Sequence, residues 1–293
     1  MIIVRLIGGL GNQLFQYAVG RYLAEKNESE LKIDISEFKT YKLHKYSLWA
    51  FNIQENCASP NEVIALTVRK QGIAEGFLRR MLRRPAVLPN SYIREKNFSF
   101  EPDILNLQDG IYLEGYWQSQ KYFLDIDSII RKEFIVKTLQ TGKNKELSDQ
   151  ISSCESVSYH VRRGDYVSNP DTNRVSGICS LDYYNLSVKY IAERVNNPSF
   201  FIFTDEPEWA HENVNLPYAT IIVDWNNADK NYEDLRLMNQ CKHNIIANST
   251  FSWWAAWLNQ NPDKIVIAPK RWFADEKMNS QTQNLIPEAW VRL

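Results

Sequence analysis

The second half of the chain alternates between two hydrophobic periods. Apolar runs of strand length recur at 157–161, 200–204, 220–224, 244–247 and 264–268. Between them lie stretches with helical spacing. One opens at Ser180-Leu181-Asp182, with Ser180 placed as N-cap, and continues to Val195. A short one covers 207–214, another covers 231–241 with Leu235, Leu237 and Met238 on its apolar side, and a tryptophan-rich one covers 249–258. Strands alternating with helices predict βαβ units, a parallel sheet and right-handed crossovers. The first half begins alike. A buried strand at 2–7 runs into Gly8-Gly9-Leu10-Gly11-Asn12-Gln13, then a helix carrying Leu14, Phe15, Tyr17, Ala18 and Tyr22, with further strands at 31–35 and 111–115. Residues 41–106 show no clear period, and the polar stretch 138–145 separates the halves. The expected α/β architecture is two Rossmann-like domains, 1–150 and 151–293, facing each other across a cleft lined by strand-end loops.

Composition narrows the classes. With 34 Lys and Arg against 35 Asp and Glu there is no excess positive charge to neutralise a nucleic-acid backbone. Aromatic residues reach 13%, which suits stacking on sugars but is read mainly as a bulky core. Cys57, Cys154, Cys179 and Cys241 lie far apart without a CxxC pair, which argues against a zinc site or disulfide framework and for a reducing compartment. No cleavable signal peptide is recognisable, and the apolar start is too short to span a membrane. The basic stretch Arg79-Arg80-Met81-Leu82-Arg83-Arg84 is expected to be an exposed amphipathic segment, with peripheral contact to an anionic membrane as a secondary expectation.

Candidate chemistry concentrates in three loops. Tyr159-His160-Val161-Arg162-Arg163-Gly164-Asp165-Tyr166 ends a strand with two adjacent guanidinium groups, which suit a phosphate or diphosphate. The alternative is a loop in which Arg162 or Arg163 is simply paired with Asp165. In the loop 8–13, Gly9 and Gly11 would let backbone N–H groups approach an anion or sugar, and Asn12 and Gln13 would read ligand hydroxyls. A plain tight turn is the alternative there, and the spacing is not that of a dinucleotide fingerprint. Asn248-Ser249-Thr250-Phe251 opens a helix with hydroxyls and N–H groups suited to phosphate oxygens and a ring able to stack on a base. Capping by Ser249 or Thr250 competes with that role. Asp205 and Asp224 end strands on the cleft side, with Asp205 taken as a nucleotide contact, and Asp234 is a lone carboxylate on a helix. Asp125-Ile126-Asp127 has a metal-binding DxD form but reads better as the acidic first turn of a helix, so no metal ligands are assigned. His44, His160, His211 and His243 are scattered, and no Ser-His-Asp triad stands out.

Four motifs in this order, Gly8-Gly9-Leu10-Gly11-Asn12-Gln13-Leu14-Phe15-Gln16-Tyr17, His160-Val161-Arg162-Arg163-Gly164-Asp165-Tyr166, Phe203-Thr204-Asp205-Glu206 and Asn248-Ser249-Thr250-Phe251-Ser252-Trp253-Trp254, cover nearly the whole length. On them the chain resembles the bacterial α-1,2-fucosyltransferases related to the animal blood-group H enzymes. The resemblance implies a GT-B fold, GDP-β-L-fucose as donor, a terminal β-galactoside as acceptor, inversion to an α-1,2 linkage, and no required metal or other cofactor. By motif position it implies Arg162 on the diphosphate with Arg163 beside it, and His160 and Asp234 on the nucleoside. It likewise implies Ser249, Thr250 and Phe251 around phosphate and base, and Asn12 near fucose and acceptor. The animal enzymes carry a membrane anchor and stem before this region, so a bacterial cytoplasm is the expectation. A base for the acceptor hydroxyl is expected at Asp165 first and Glu114 second, unless a dissociative transition state needs little base help. A GT-B transferase of another nucleotide sugar, linkage or acceptor, and a non-catalytic sugar-binding protein, are the competing readings.

Overall fold

The computed structural model describes residues 1–68 and 88–293; the basic stretch from Arg79 to Arg84 lies outside the described residues. The chain runs β1 (Ile2–Arg5), α1 (Leu10–Lys26), β2 (Leu31–Asp34), α2 (Pro60–Thr67), β3 (Tyr92–Arg94), β4 (Ile111–Glu114), α3 (Asp127–Glu133) and α4 (Gly142–Ser153). It continues with β5 (Glu155–Val161), α5 (Gly164–Ser168), α6 (Pro170–Ser176), α7 (Leu181–Ala192), β6 (Pro198–Thr204), α8 (Pro207–Asn213) and β7 (Thr220–Val223). Last come α9 (Asn231–Gln240), β8 (His243–Ile245), α10 (Thr250–Leu258), β9 (Val266–Ala268), α11 (Glu276–Asn279) and β10 (Val291–Arg292). Among the described residues these strands form two parallel sheets, ordered β2-β1-β4-β3 and β10-β9-β8-β5-β6-β7. The expected strands are all present. Those of the second half are found within two residues of the periodicity's bounds, and Ser180 caps α7 by accepting from Tyr183 N.

Strand order decides where ligands go. In the second sheet β6 and β7 extend to one side of β5, and β8, β9 and β10 to the other, so the order reverses between β5 and β8. The first sheet reverses between β1 and β4. A parallel sheet opens a crevice at such a point, beyond the carboxyl ends of its strands. The double-arginine loop follows β5, the loop 248–251 follows β8, and the glycine loop follows β1. All three sequence motifs therefore lie at switch points.

The two sheets share a core. α1 is buried nearly all round because it is sandwiched between its own sheet and α10. α10 carries Trp253, Trp254 and Trp257, and Trp254 is fully buried among Phe15 (4.8 Å), Phe123 (5.2 Å) and Phe134 (5.1 Å) of the first half. One continuous apolar cluster thus runs from Ile2 to Trp290. A second cluster, with Tyr159, Tyr184 and Ile202, fills the opposite face of the second sheet. The alternation along β5 sends Val157, Tyr159 and Val161 into that cluster, while Ser156, Ser158 and His160 face the other way. Ser158 Oγ there accepts from Asn244 Nδ2 at 2.7 Å. Packing on α9 and β5 places α4 with the second sheet, although a boundary at 150 would put this helix in the first domain. At Asp125-Ile126-Asp127 the helix reading holds, with Asp127 in the first turn of α3 bonded to Arg131 at 2.8 Å. No helix among the described residues is long and apolar enough to cross a membrane.

Candidate active site

The double arginine is braced by the neighbouring strand end. Arg162 Nη1 lies 2.9 Å from Asp205 Oδ2, and Arg163 N donates to Asp205 Oδ1 at 3.0 Å. Arg163 Nε bonds Glu206 at 3.0 Å, and its guanidinium covers the Trp209 ring at 4.1 Å. A Cβ on Gly164 would stand 2.5 Å from Asp205 Oδ2, so glycine is what lets this carboxylate approach. Two of the expected ligand contacts have partners within the protein. Asp205, expected to bind nucleotide, has both oxygens on the arginine loop. Arg163, expected beside Arg162 on the diphosphate, is held at edge and face by Glu206 and Trp209. Arg162 sits at the mouth of the switch point over the Tyr166 ring at 5.5 Å. Asp165 lies in the first turn of α5, and its side chain is outside the described residues.

His160 is buried, with its ring 5.7 Å from that of Phe251 and Nδ1 without a hydrogen-bond partner among the described residues. Burial drives its pKa down to about 3, with Asp205 opposing and Arg162 adding to the shift, so the imidazole is neutral. Ser249 occupies the N-cap of α10, but its side chain makes no capping bond, so the first N–H groups of the helix are not closed off by it. Thr250 Oγ1 instead donates to Asn12 Oδ1 at 3.0 Å. Asn248 is not free to bind a ligand, because Nδ2 serves the carbonyls of Ser176, Gly177 and Trp272 while Oδ1 accepts from Cys179.

The glycine loop is also a docking surface. A Cβ on Gly11 would lie 2.4 Å from the backbone carbon of Thr250 and 2.5 Å from Phe251 N, so this glycine admits the start of α10 rather than an anion. Gly9 is the N-cap of α1, its carbonyl accepting from Asn12 and Gln13, with the His44 ring beside it. Gln13 is fully buried, donating to the carbonyls of Gly8 and Lys45 and accepting from Ser47 N, so it is a brace and not a reader of hydroxyls. Asn12 is partly exposed. Gly11→Ala is expected to wedge the loops apart, costing roughly 1–3 kcal/mol and raising the donor KM. Thermal melting and steady-state kinetics check this, and wild-type values in both would refute the close contact.

Asp234 stands in the first turn of α9, Oδ1 accepting from Asn226 Nδ2 at 2.7 Å. Asn226 in turn pairs with Asn144, which accepts from Trp225 Nε1 at 2.7 Å. Burial, with Glu233 adding, raises Asp234 to about 7. Glu114, the second base candidate, has Oε1 against Arg5 (3.1 Å) and Arg94 (3.7 Å) and Oε2 accepting from Tyr92. Its oxygens are committed. Sequence reasoning missed the bracing group Glu206–Trp209, the Asn144–Asn226 pair and Gln118, whose Nε2 donates to Asn12 Oδ1 at 3.0 Å. Gln118 follows a strand end, which was the available signal.

Two parallel sheets whose ligand loops meet across a shared helical layer define a GT-B-type glycosyltransferase fold. The crystal structure of POFUT1 in complex with GDP-fucose has the same fold, with a TM-score of 0.52 at 15% identity, covering 91% of this chain and 97% of that one. The chain belongs to glycosyl transferase family 11, whose pattern matches residues 1–293. It is 35% identical to an α-1,2-colitosyltransferase of Escherichia coli, over 100% of this chain and 99% of the relative. It is 32% identical to the O-antigen biosynthesis glycosyltransferase WbnK of Escherichia coli, over 98% and 99% respectively. The family expected from the four motifs is therefore the family found, and the protein is a glycosyltransferase.

Proposed function

We propose that this glycosyltransferase moves L-fucose from GDP-β-L-fucose to O2 of a terminal β-galactoside, with inversion to an α-1,2 linkage. The observation that carries this reading is the juxtaposition, at one switch point, of Arg162 with the uncapped start of α10. Negative charge builds on the diphosphate as the bond to fucose C1 breaks. A guanidinium and oriented N–H groups stabilise that charge in place. The acceptor hydroxyl attacks from the opposite face, on the side of the glycine loop and Asn12, and gives its proton to a base, the role first expected of Asp165. On this reading the arginine and the helix start do the work a metal does elsewhere, and turnover is expected to be unchanged in excess chelator. Phe251 and the neutral His160 form a wall of two rings against the nucleoside, and Asp234 accepts from the guanine N–H edge.

The similarity to an α-1,2-colitosyltransferase favours a second reading, in which the donor is GDP-colitose. The two sugars differ by a single hydroxyl at C3. Turnover measured with each donor separates the readings, because a site that hydrogen-bonds O3 rejects the deoxy sugar strongly, whereas one that ignores O3 accepts both. A marked preference for GDP-colitose would sink the fucosyl assignment.

Guanine recognition by Asp234 needs its ionised form. With the group at about 7, the donor KM is expected to be flat above that pH and to rise about tenfold per unit below it. Asp234→Asn should abolish this dependence while raising KM throughout. A KM that does not change between pH 8 and about pH 5.5 in the wild-type enzyme would remove Asp234 from the nucleoside site.

A further inference from the structure

The loop after β4 stands at the first sheet's switch point, beside the glycine loop. Trp117 in this loop has φ of +55°, a left-handed conformation that is costly for a bulky residue. The surroundings over-determine it. The Glu95 carboxylate accepts from Tyr116 N at 2.7 Å and Trp117 N at 3.0 Å, and the Trp117 ring is fully buried. The turn leads to Gln118, which reaches the glycine loop. Gln118 is only 8% exposed, and its Nε2 donates to Asn12 Oδ1. Thr250 Oγ1, at the start of the donor-side helix, donates to the same oxygen. Both bonds end on Oδ1, so Gln118 and Thr250 together orient the Asn12 amide with Nδ2 on the other side. Asn12 Nδ2 is left above Gly8, with no acceptor among the described residues.

We propose that Gln118 is a positioning residue for glycosyl transfer: with Thr250 it fixes the Asn12 amide so that Nδ2 faces the reactants. The proposal rests on the reading of Asn12 as a contact of fucose or acceptor, and it adds a residue that lies in none of the four motifs. A pinned loop serves this purpose because the Glu95 carboxylate fixes the backbone that carries Gln118.

The test is a double-mutant cycle on kcat with Gln118→Met, which keeps the side-chain volume, and Asn12→Ala. Gln118→Met is expected to lower kcat about tenfold, within the coupling seen between contacting residues, with the GDP-induced thermal shift unchanged. Asn12→Ala should lose more, and the double variant should match Asn12→Ala. Losses that multiply in the double variant, or wild-type kcat in Gln118→Met, overturn the proposal. Full activity in Asn12→Ala would overturn the underlying reading of Asn12 as well. Gln118→Glu gives an independent check at saturating donor. Its kcat relative to wild type should rise as pH falls, since only the protonated carboxyl can donate to Asn12 Oδ1. A ratio independent of pH counts against the proposal.

Discussion

Arg162→Ala is expected to lower turnover by about 100- to 1,000-fold, the range seen when one oriented donor to a developing charge is removed. Folding should be preserved. Arg162 is partly exposed and packs on Tyr166, and its partner Asp205 keeps a second bond to Arg163 N. Arg162→Lys should recover only part of the loss, because an ammonium keeps the charge but not the planar fork that grips two phosphate oxygens. Arg163→Ala should behave differently. Its Nε is bonded to Glu206 and its guanidinium lies over Trp209, so its removal is expected to loosen the loop after β6 and to give a smaller kinetic loss accompanied by a lower melting temperature. Rates and melting curves of the three variants together separate a phosphate contact from a brace. Near-wild-type turnover in Arg162→Ala would refute the phosphate role.

Trp254→Ala is expected to cost about 3–5 kcal/mol, the penalty for emptying a large aromatic site in a packed core. That is a large fraction of the roughly 5–15 kcal/mol that holds a typical domain folded. The reason is position as much as size. Trp254 is fully buried and belongs to the second sheet's helix α10, yet beyond its helix neighbours Trp253 and Trp257 its ring packs on Phe15, Phe123 and Phe134 of the first half. Because both sheets share this cluster, the wild-type protein should unfold in a single cooperative step. The variant should shift that step as a whole in a urea titration followed by circular dichroism. Two separated transitions in the wild type would contradict a shared core.

Much of this was legible in the chain before its structure. Where a strand is apolar on both faces, as with β6, its run stood out. Tyr92-Ile93-Arg94, a three-residue edge strand with no buried member, did not. The three loops at the switch points were recognisable because strand, loop and helix follow one another directly in sequence. Their internal wiring was not. Gln13 and Asn248 look like ligand readers on paper, yet their amides are consumed by backbone carbonyls such as Lys45 O and Trp272 O, whose proximity only the fold creates. Asp205 and Glu206, which follow the adjacent strand β6, hold the two arginines, and only the pairing of β5 with β6 brings them there. Likewise Gly11 was read as an opening for a ligand, but the start of α10 fills that space.

The most direct test of the account is the structure of the product formed from GDP-β-L-fucose and a β-galactoside, determined by nuclear magnetic resonance for linkage and anomeric configuration. The account predicts an α-L-fucosyl residue on O2 of the terminal galactose. A β-anomer, a linkage to another hydroxyl, or no transfer of fucose to any terminal galactoside would contradict it.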